Sequence, residues 1–277
     1  MLKDQTKIGI CQWSVPMNGP YSCKLVSELG IEGIQLEMGD PHRGYPLSKE
    51  VVYQAYMELG EQYGVAFTSI VNVATTEFSI TRPQSPEKYE VVMTSIRKSI
   101  ETAAAMNIPL IMIPSFGKSE IRNEDDLIQT VEVLTSACDY AQEKNIYVAT
   151  ENLLPVEGIF HLFEQVNRSN LKLYFDTQNH FLRKGYDIPE MIRKLASLFC
   201  NEVHIKDGKD GHLSGSLLGE GESGFYRSLA ALEEVNYTGW LVLENYYDRE
   251  PLSFRHDQPV QLIKKDLKIL NDALKKF

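Results

Sequence analysis

IYVATEN at residues 146–152, LKLYFD at 171–176, EVHIKD at 202–207 and WLVLEN at 240–245 share one pattern: a short apolar run that closes on a charged or imidazole side chain. Strands covered on both faces are nearly continuous apolar runs, so a polar residue at the end of each is conspicuous. Glu151 closes the first run, Asp176 the second and Glu244 the fourth, and His204 lies in the third. Four similar runs precede them: KIGICQW at 7–13, GIEGIQLE at 30–37, VAFTSIV at 65–71 and PLIMIP at 109–114.

Longer segments of helical periodicity separate the runs. Residues 48–63 place Val51, Val52, Ala55, Tyr56 and Leu59 three or four apart, and 86–106 do the same with Val91, Val92, Ile96, Ile100 and Ala103. Asn123, followed by Glu124, Asp125 and Asp126, is expected to cap a helix whose apolar stripe is Leu127, Val131, Leu134 and Cys138. Eight such units in 277 residues average roughly 35 residues each, the length of a strand plus its crossover helix. A doubly wound dinucleotide-binding sheet would need a Gly-rich turn after an early strand, and the first run continues as CQWSVPMNG. The expected fold is therefore α/β, a (β/α)8 TIM barrel, with residues 1–277 forming one domain.

A formal charge of -10 argues against nucleic acid as a partner, because affinity for a polyphosphate comes from clustered Lys and Arg. No apolar stretch approaches the ~18 residues of a membrane span, so no membrane partner is expected. MLKDQTKIGI has no apolar leader segment, and Cys11, Cys23, Cys138 and Cys200 lack paired spacing and lie in or beside apolar runs. Reduced thiols and a cytoplasmic location are expected.

If the last four runs are consecutive barrel strands, their ends converge at the mouth, where loops following the strands build active sites. Three carboxylates crowded together repel one another unless a cation compensates them. One divalent metal, held by Glu151, Asp176, His204 and Glu244, resolves the conflict; the mixed O and N set admits Mn, Mg, Co or Zn. The competing explanation is that each residue pairs locally with a Lys or Arg.

ATENL, YFDTQNH, EVHIKDG, LLGEGESGFY and GWLVLEN, in that order and spacing, resemble the xylose-isomerase-like TIM barrels of the sugar phosphate isomerase/epimerase family. The resemblance extends over essentially the whole chain. It implies that Glu151, Asp176, His204 and Glu244 are metal ligands, and that Glu157 occupies a position that contacts substrate in some ketose epimerases. Compensation of a helix N-terminus is the alternative for Glu157. Related epimerases often carry His three residues after the Asp ligand, where this chain has Asn179 and then His180. They often carry Arg soon after the His ligand, where it has Lys206, Lys209, Asp210 and His212. Members of the DNA-repair endonuclease branch use extra His and Asp ligands; here Asn72, Pro114, Ser115, Leu213 and Gly215 stand instead, which argues against phosphodiester cleavage. Dimers and tetramers are frequent in the group, which leaves a homo-oligomer open.

The implied activity is a divalent-metal-dependent isomerase or epimerase of a small ketose or sugar phosphate, with proton abstraction beside a carbonyl giving an enediolate. Glu151 and Glu244 are the expected proton carriers. Glu157, Lys206, Trp13, Asn179 and His180 are candidate substrate contacts, and Phe116 and Phe181 are either apolar walls or packing. Lys206 either donates to a substrate oxygen or pairs with Asp207 or Asp176. A dehydratase of a keto-polyol or shikimate-type acid is the nearest alternative, and a non-catalytic sugar-binding barrel the next. Arg43, Arg183, Lys184 and Lys209 are candidate phosphate anchors. The connections 72–85 and 207–223 are lids or solvated loops, and GEGESG at 219–224 is expected to be the turn opening the seventh helix.

Overall fold

The computed structural model describes residues 1–82 and 85–276. The strands are β1 (Thr6–Cys11), β2 (Gly33–Glu37), β3 (Ala66–Val71), β4 (Leu110–Ser115), β5 (Tyr147–Asn152), β6 (Leu171–Asp176), β7 (Phe199–Ile205) and β8 (Gly239–Leu243), ordered β1 to β8 in a closed barrel. A principal helix follows each: α1 (Ser22–Glu28), α2 (Glu50–Tyr63), α3 (Pro86–Ala105), α4 (Glu124–Gln142), α5 (Val156–Val166), α6 (Ile188–Leu195), α7 (Phe225–Glu234) and α8 (Pro259–Leu274). Asn123 caps α4 as its sequence predicts, its side chain accepting from Asp126 N at 3.0 Å. β7 starts at Phe199, three residues before the expected run, and Phe199 stacks on Phe175 at 4.9 Å.

Two compact units share the chain: Met1–Ile34, Leu59–Ala66 and Phe175–Phe277 form one, Gln35–Glu58 and Phe67–Tyr174 the other. In the first, β1 pairs with β8 from Thr6↔Gly239 to Ile10↔Leu243, and β7 with β8 from Glu202↔Trp240 to Ile205↔Leu243, all parallel. Alternation sorts the side chains. Along β7 and just beyond it, Val203 and Ile205 hold one phase and Glu202, His204 and Lys206 the other, and both phases are buried. In the second, β4 pairs with β5 from Leu110↔Tyr147 to Ser115↔Asn152, and β5 with β6 from Val148↔Leu171 to Thr150↔Leu173.

Both long connections are pinned by internal hydrogen bonds among the described residues. In 72–85, Thr75 Oγ1 donates to Asn72 O and Pro114 O at 3.0 and 2.9 Å, and Ser79 Oγ donates to Lys118 O at 2.7 Å. These bonds tie the segment down; Pro83 and Gln84 lie outside the described residues. In 207–223 the organising group is the buried Asp207 carboxylate. It accepts from the backbone N–H of Gly208, Gly219, Gly221 and Ser223 at 2.9 to 3.3 Å and from Ser223 Oγ at 2.8 Å. A Cβ at Gly221 would overlap Asp207 Oδ1, which accounts for the glycine. GEGESG therefore does more than open α7: it cradles an anion supplied by the chain itself.

Replacing Asp207 with Ala leaves several buried N–H groups without an acceptor, and the expected loss is about 2–4 kcal/mol. Urea unfolding at neutral pH measures it; a loss under 1 kcal/mol would show that the loop does not depend on this carboxylate.

Candidate metal centre

Asp176 ends β6, and the chain turns at once into the short helix Asn179–Lys184. The N–H groups of Gln178 and Asn179 donate to Asp176 Oδ1 at 2.8 and 2.5 Å. One carboxylate oxygen is thereby fixed by backbone, and Oδ2 is presented to His204 Nδ1 at 3.8 Å. Glu244, the residue after β8, places Oε2 3.2 Å from the same nitrogen. These distances do not make His204 an ion-pair partner. Burial pushes its pKa down to about 3, with Asp176 opposing and the Lys206 charge adding, so the imidazole is neutral, the form that ligates metals.

Glu151 is the penultimate residue of β5, one step beyond the β5–β6 register pair Thr150↔Leu173, and is buried. Asp176 Oδ2, Glu244 Oε2 and His204 Nδ1 form one buried cluster, the two oxygens 3.8 and 3.2 Å from the nitrogen. Two carboxylates and an imidazole, all shielded from water, suit a divalent cation of the first transition row or magnesium. The donor set fits.

Lys206 occupies this ground as well. Its ammonium lies 2.9 Å from Asp176 Oδ2 and 2.6 Å from Glu244 Oε2. The sequence left Asp207 open as its partner; Asp207 is instead spent on the loop. Trp13 stands in a single 3₁₀ turn after β1 and donates from Nε1 to Glu244 Oε1 at 3.2 Å, with its ring edge-on to His204. Asn179 contributes its backbone N–H to Asp176. The His180 ring stacks on Phe175 at 5.8 Å and tilts against Tyr186, which places it in an aromatic layer. Glu157 is exposed in the first turn of α5, where an acid suits the helix N-terminus. Phe116 and Phe181 are half-buried, and Arg43, Arg183, Lys184 and Lys209 are exposed.

The family model of the xylose isomerase-like TIM barrel matches residues 23–273. The chain belongs to that family. Among its relatives is the 2-epi-5-epi-valiolone 7-phosphate 2-epimerase of Actinoplanes sp., 28% identical over 242 residues covering 87% of each chain. The inosose isomerase of Halalkalibacterium halodurans is 25% identical over 199 residues, 64% of this chain and 70% of the relative. A crystal structure of IOLI protein with a binding zinc atom superposes with a TM-score of 0.77 at 17% identity, covering 98% and 99% of the two chains; at that identity it shows the shared fold. Among the described residues, no helix is long and apolar enough to cross a membrane.

In this xylose isomerase-like barrel, several supporting residues escaped the sequence. Cys11 has its Sγ 3.4 Å from His204 Nε2. Nδ1 is turned to the carboxylates and Nε2 to the thiol, an outer contact that orients the ring. Its position at the end of β1, matching the strand-end rule, was the available signal. Gln178 clamps the 207–223 loop, donating to His212 O at 2.9 Å and accepting from Ser214 N at 2.8 Å. Asn245, next to Glu244, accepts from Asp207 N and donates to Asp266 Oδ2 at 2.7 Å; Asp266 also accepts from Leu218 N and Tyr247 Oη. The residue beside Glu244 is thus tied both to the loop and to α8.

Burial raises the Asp266 carboxyl to about 6, despite the three hydrogen bonds that lower it. In the unfolded chain its pKa is about 3.9, so the folded state holds the proton more tightly. The stabilisation is complete below the unfolded pKa and is lost as pH rises from about 4 through about 6, an effect of at most about 3 kcal/mol. Urea unfolding from pH 4 to 7 should therefore show the native chain losing stability relative to Asp266→Asn. A difference between the two that stays constant over this range would contradict the assignment.

Proposed function

We propose that this chain is a divalent-metal-dependent epimerase or isomerase that moves a proton on a carbon next to the carbonyl of a small ketose or sugar phosphate. The observation that carries the reading is the buried cluster of Asp176, Glu244 and His204, in which two carboxylate oxygens face one imidazole nitrogen at 3.8 and 3.2 Å. The relatives named above, one an epimerase of a phosphorylated substrate and one an isomerase of inosose, support the same reaction class. Glu151, Asp176, His204 and Glu244 would hold the metal. When bound, the metal supplies a Lewis acid that withdraws charge from a carbonyl oxygen.

The chain's own residues do the rest. Asp176 has one oxygen fixed by backbone N–H groups and His204 has its Nε2 against the Cys11 thiol, which leaves Asp176 Oδ2 and His204 Nδ1 to hold the metal rather than to move protons. Glu151 and Glu244 are the remaining carboxylates. One takes the proton from the carbon beside the carbonyl, and the other returns a proton to that carbon for epimerisation or to its neighbour for isomerisation. Trp13, bonded to Glu244, holds that carboxylate in place and offers an apolar edge to sugar carbons. Lys206 donates to a substrate oxygen, and Glu157 is a further candidate substrate contact, whereas the His180 ring is packed on Phe175. We assign the chain to the cytoplasm as a single catalytic domain. Its four cysteines are buried and form no disulfide, and burial pushes Cys23 to about 11 and Cys138 to about 12, so both stay protonated thiols.

Glu151→Gln and Glu244→Gln should each abolish solvent-deuterium exchange at the reacting carbon of a ketose or sugar-phosphate substrate while retaining part of the metal. His204→Ala should instead lower metal occupancy, read by elemental analysis. Normal exchange in both glutamine variants would remove these carboxylates from the chemistry.

A further inference from the structure

Lys206 has no place in a site built for a metal alone. Its ammonium rests on Asp176 Oδ2 and Glu244 Oε2, the two oxygens that face His204 Nδ1, and the side chain is buried to 2% exposure. A divalent ion ligated by those oxygens would sit at about 2.0–2.2 Å from each. The ammonium could not then keep both contacts, because two cations sharing two oxygens in a buried site repel strongly. Equally, two carboxylates buried without a cation are a costly arrangement. In this structure the positive charge that stands between Asp176 and Glu244 is the Lys206 ammonium.

The backbone limits what can move. Lys206 N donates to Thr177 Oγ1 at 3.1 Å, and Thr177 Oγ1 donates to Lys206 O at 3.2 Å, so the residue is fixed on both sides of its Cα. Freedom is left in the four-carbon stem, a flexible arm carrying a compact point charge with three donors.

We propose that Lys206 is the resident cation of this site: it neutralises Asp176 and Glu244 while no metal is bound, and an incoming divalent ion displaces its ammonium toward the substrate, where it donates to a substrate oxygen. The proposal rests on the metal reading given above and deepens it. One residue then serves two states. Without metal it prevents the carboxylates from repelling each other; with metal, three carboxylates, a divalent ion and one ammonium sum to neutrality, so an uncharged sugar enters without a charge mismatch.

Manganese titration by calorimetry on the native chain, Lys206→Met and Lys206→Gln tests it. Both variants should bind Mn²⁺ at least tenfold more tightly than the native chain, since no ammonium has to be displaced. Their metal-free melting temperatures should fall and their rise on adding Mn²⁺ should exceed the native one. Variants that bind Mn²⁺ equally or more weakly than a native chain that does bind it overturn the Lys206 proposal alone. A native chain that binds no Mn²⁺ overturns the metal reading with it. Should neither variant fold, reductive methylation of the native chain mapped by mass spectrometry gives the answer. Lys206 should be modified several-fold faster with Mn²⁺ than with chelator, and equal protection in both overturns the proposal.

Discussion

Negative charge held out of water is the constraint around which this molecule is organised. Asp176 and Glu244, at the ends of β6 and β8, are almost wholly buried, and so is Glu151 at the end of β5. Carboxylates are seldom buried without a partner, and three near one another are far less tolerable than one. The chain answers with fixed donors on one side, two backbone N–H groups on Asp176 and the Trp13 indole on Glu244, and with a cation on the other. His204 contributes no charge, because burial keeps it neutral.

A second, concealed carboxylate system supports the first. Asp207 gathers the backbone N–H groups of the loop that follows β7, and Asp266 on α8 holds Asn245 beside Glu244. Each has satisfied hydrogen-bonding capacity and no role toward an ion. The segregation is chemically sensible: groups that shape the backbone are saturated with donors, whereas Asp176 Oδ2 and Glu244 Oε2 are left to a cation. In GEGESG the backbone N–H groups of Gly219, Gly221 and Ser223 are spent on Asp207, which occupies the nest they form.

Much of this was legible in the primary structure because barrel strands advertise themselves. Apolar runs broken by a terminal acid or imidazole located β5 to β8 and the four polar residues, and Asn123 with its following acids located the start of α4. What remained hidden depends on packing at long range. Lys206 could be placed beside an acid but not assigned to Asp176 and Glu244 over Asp207, since that choice follows from the loop already claiming Asp207. Cys11 looked like one more buried thiol; its closeness to His204 arises from β1 meeting β7 through β8. His180 illustrates the opposite case, a polar residue next to a functional one whose ring stacks on Phe175. The two long connections looked like lids because their polar side chains serve each other, a purpose that composition does not reveal.

The account stands on one cation bridging these groups. A crystal grown with manganese and measured at its absorption edge tests this directly. The prediction is a single strong anomalous peak about 2.0–2.3 Å from carboxylate oxygens of Glu151, Asp176 and Glu244 and from His204 Nδ1, with the Lys206 ammonium moved off Asp176. A site without anomalous signal, with Lys206 still seated between Asp176 and Glu244 at saturating manganese, would contradict it.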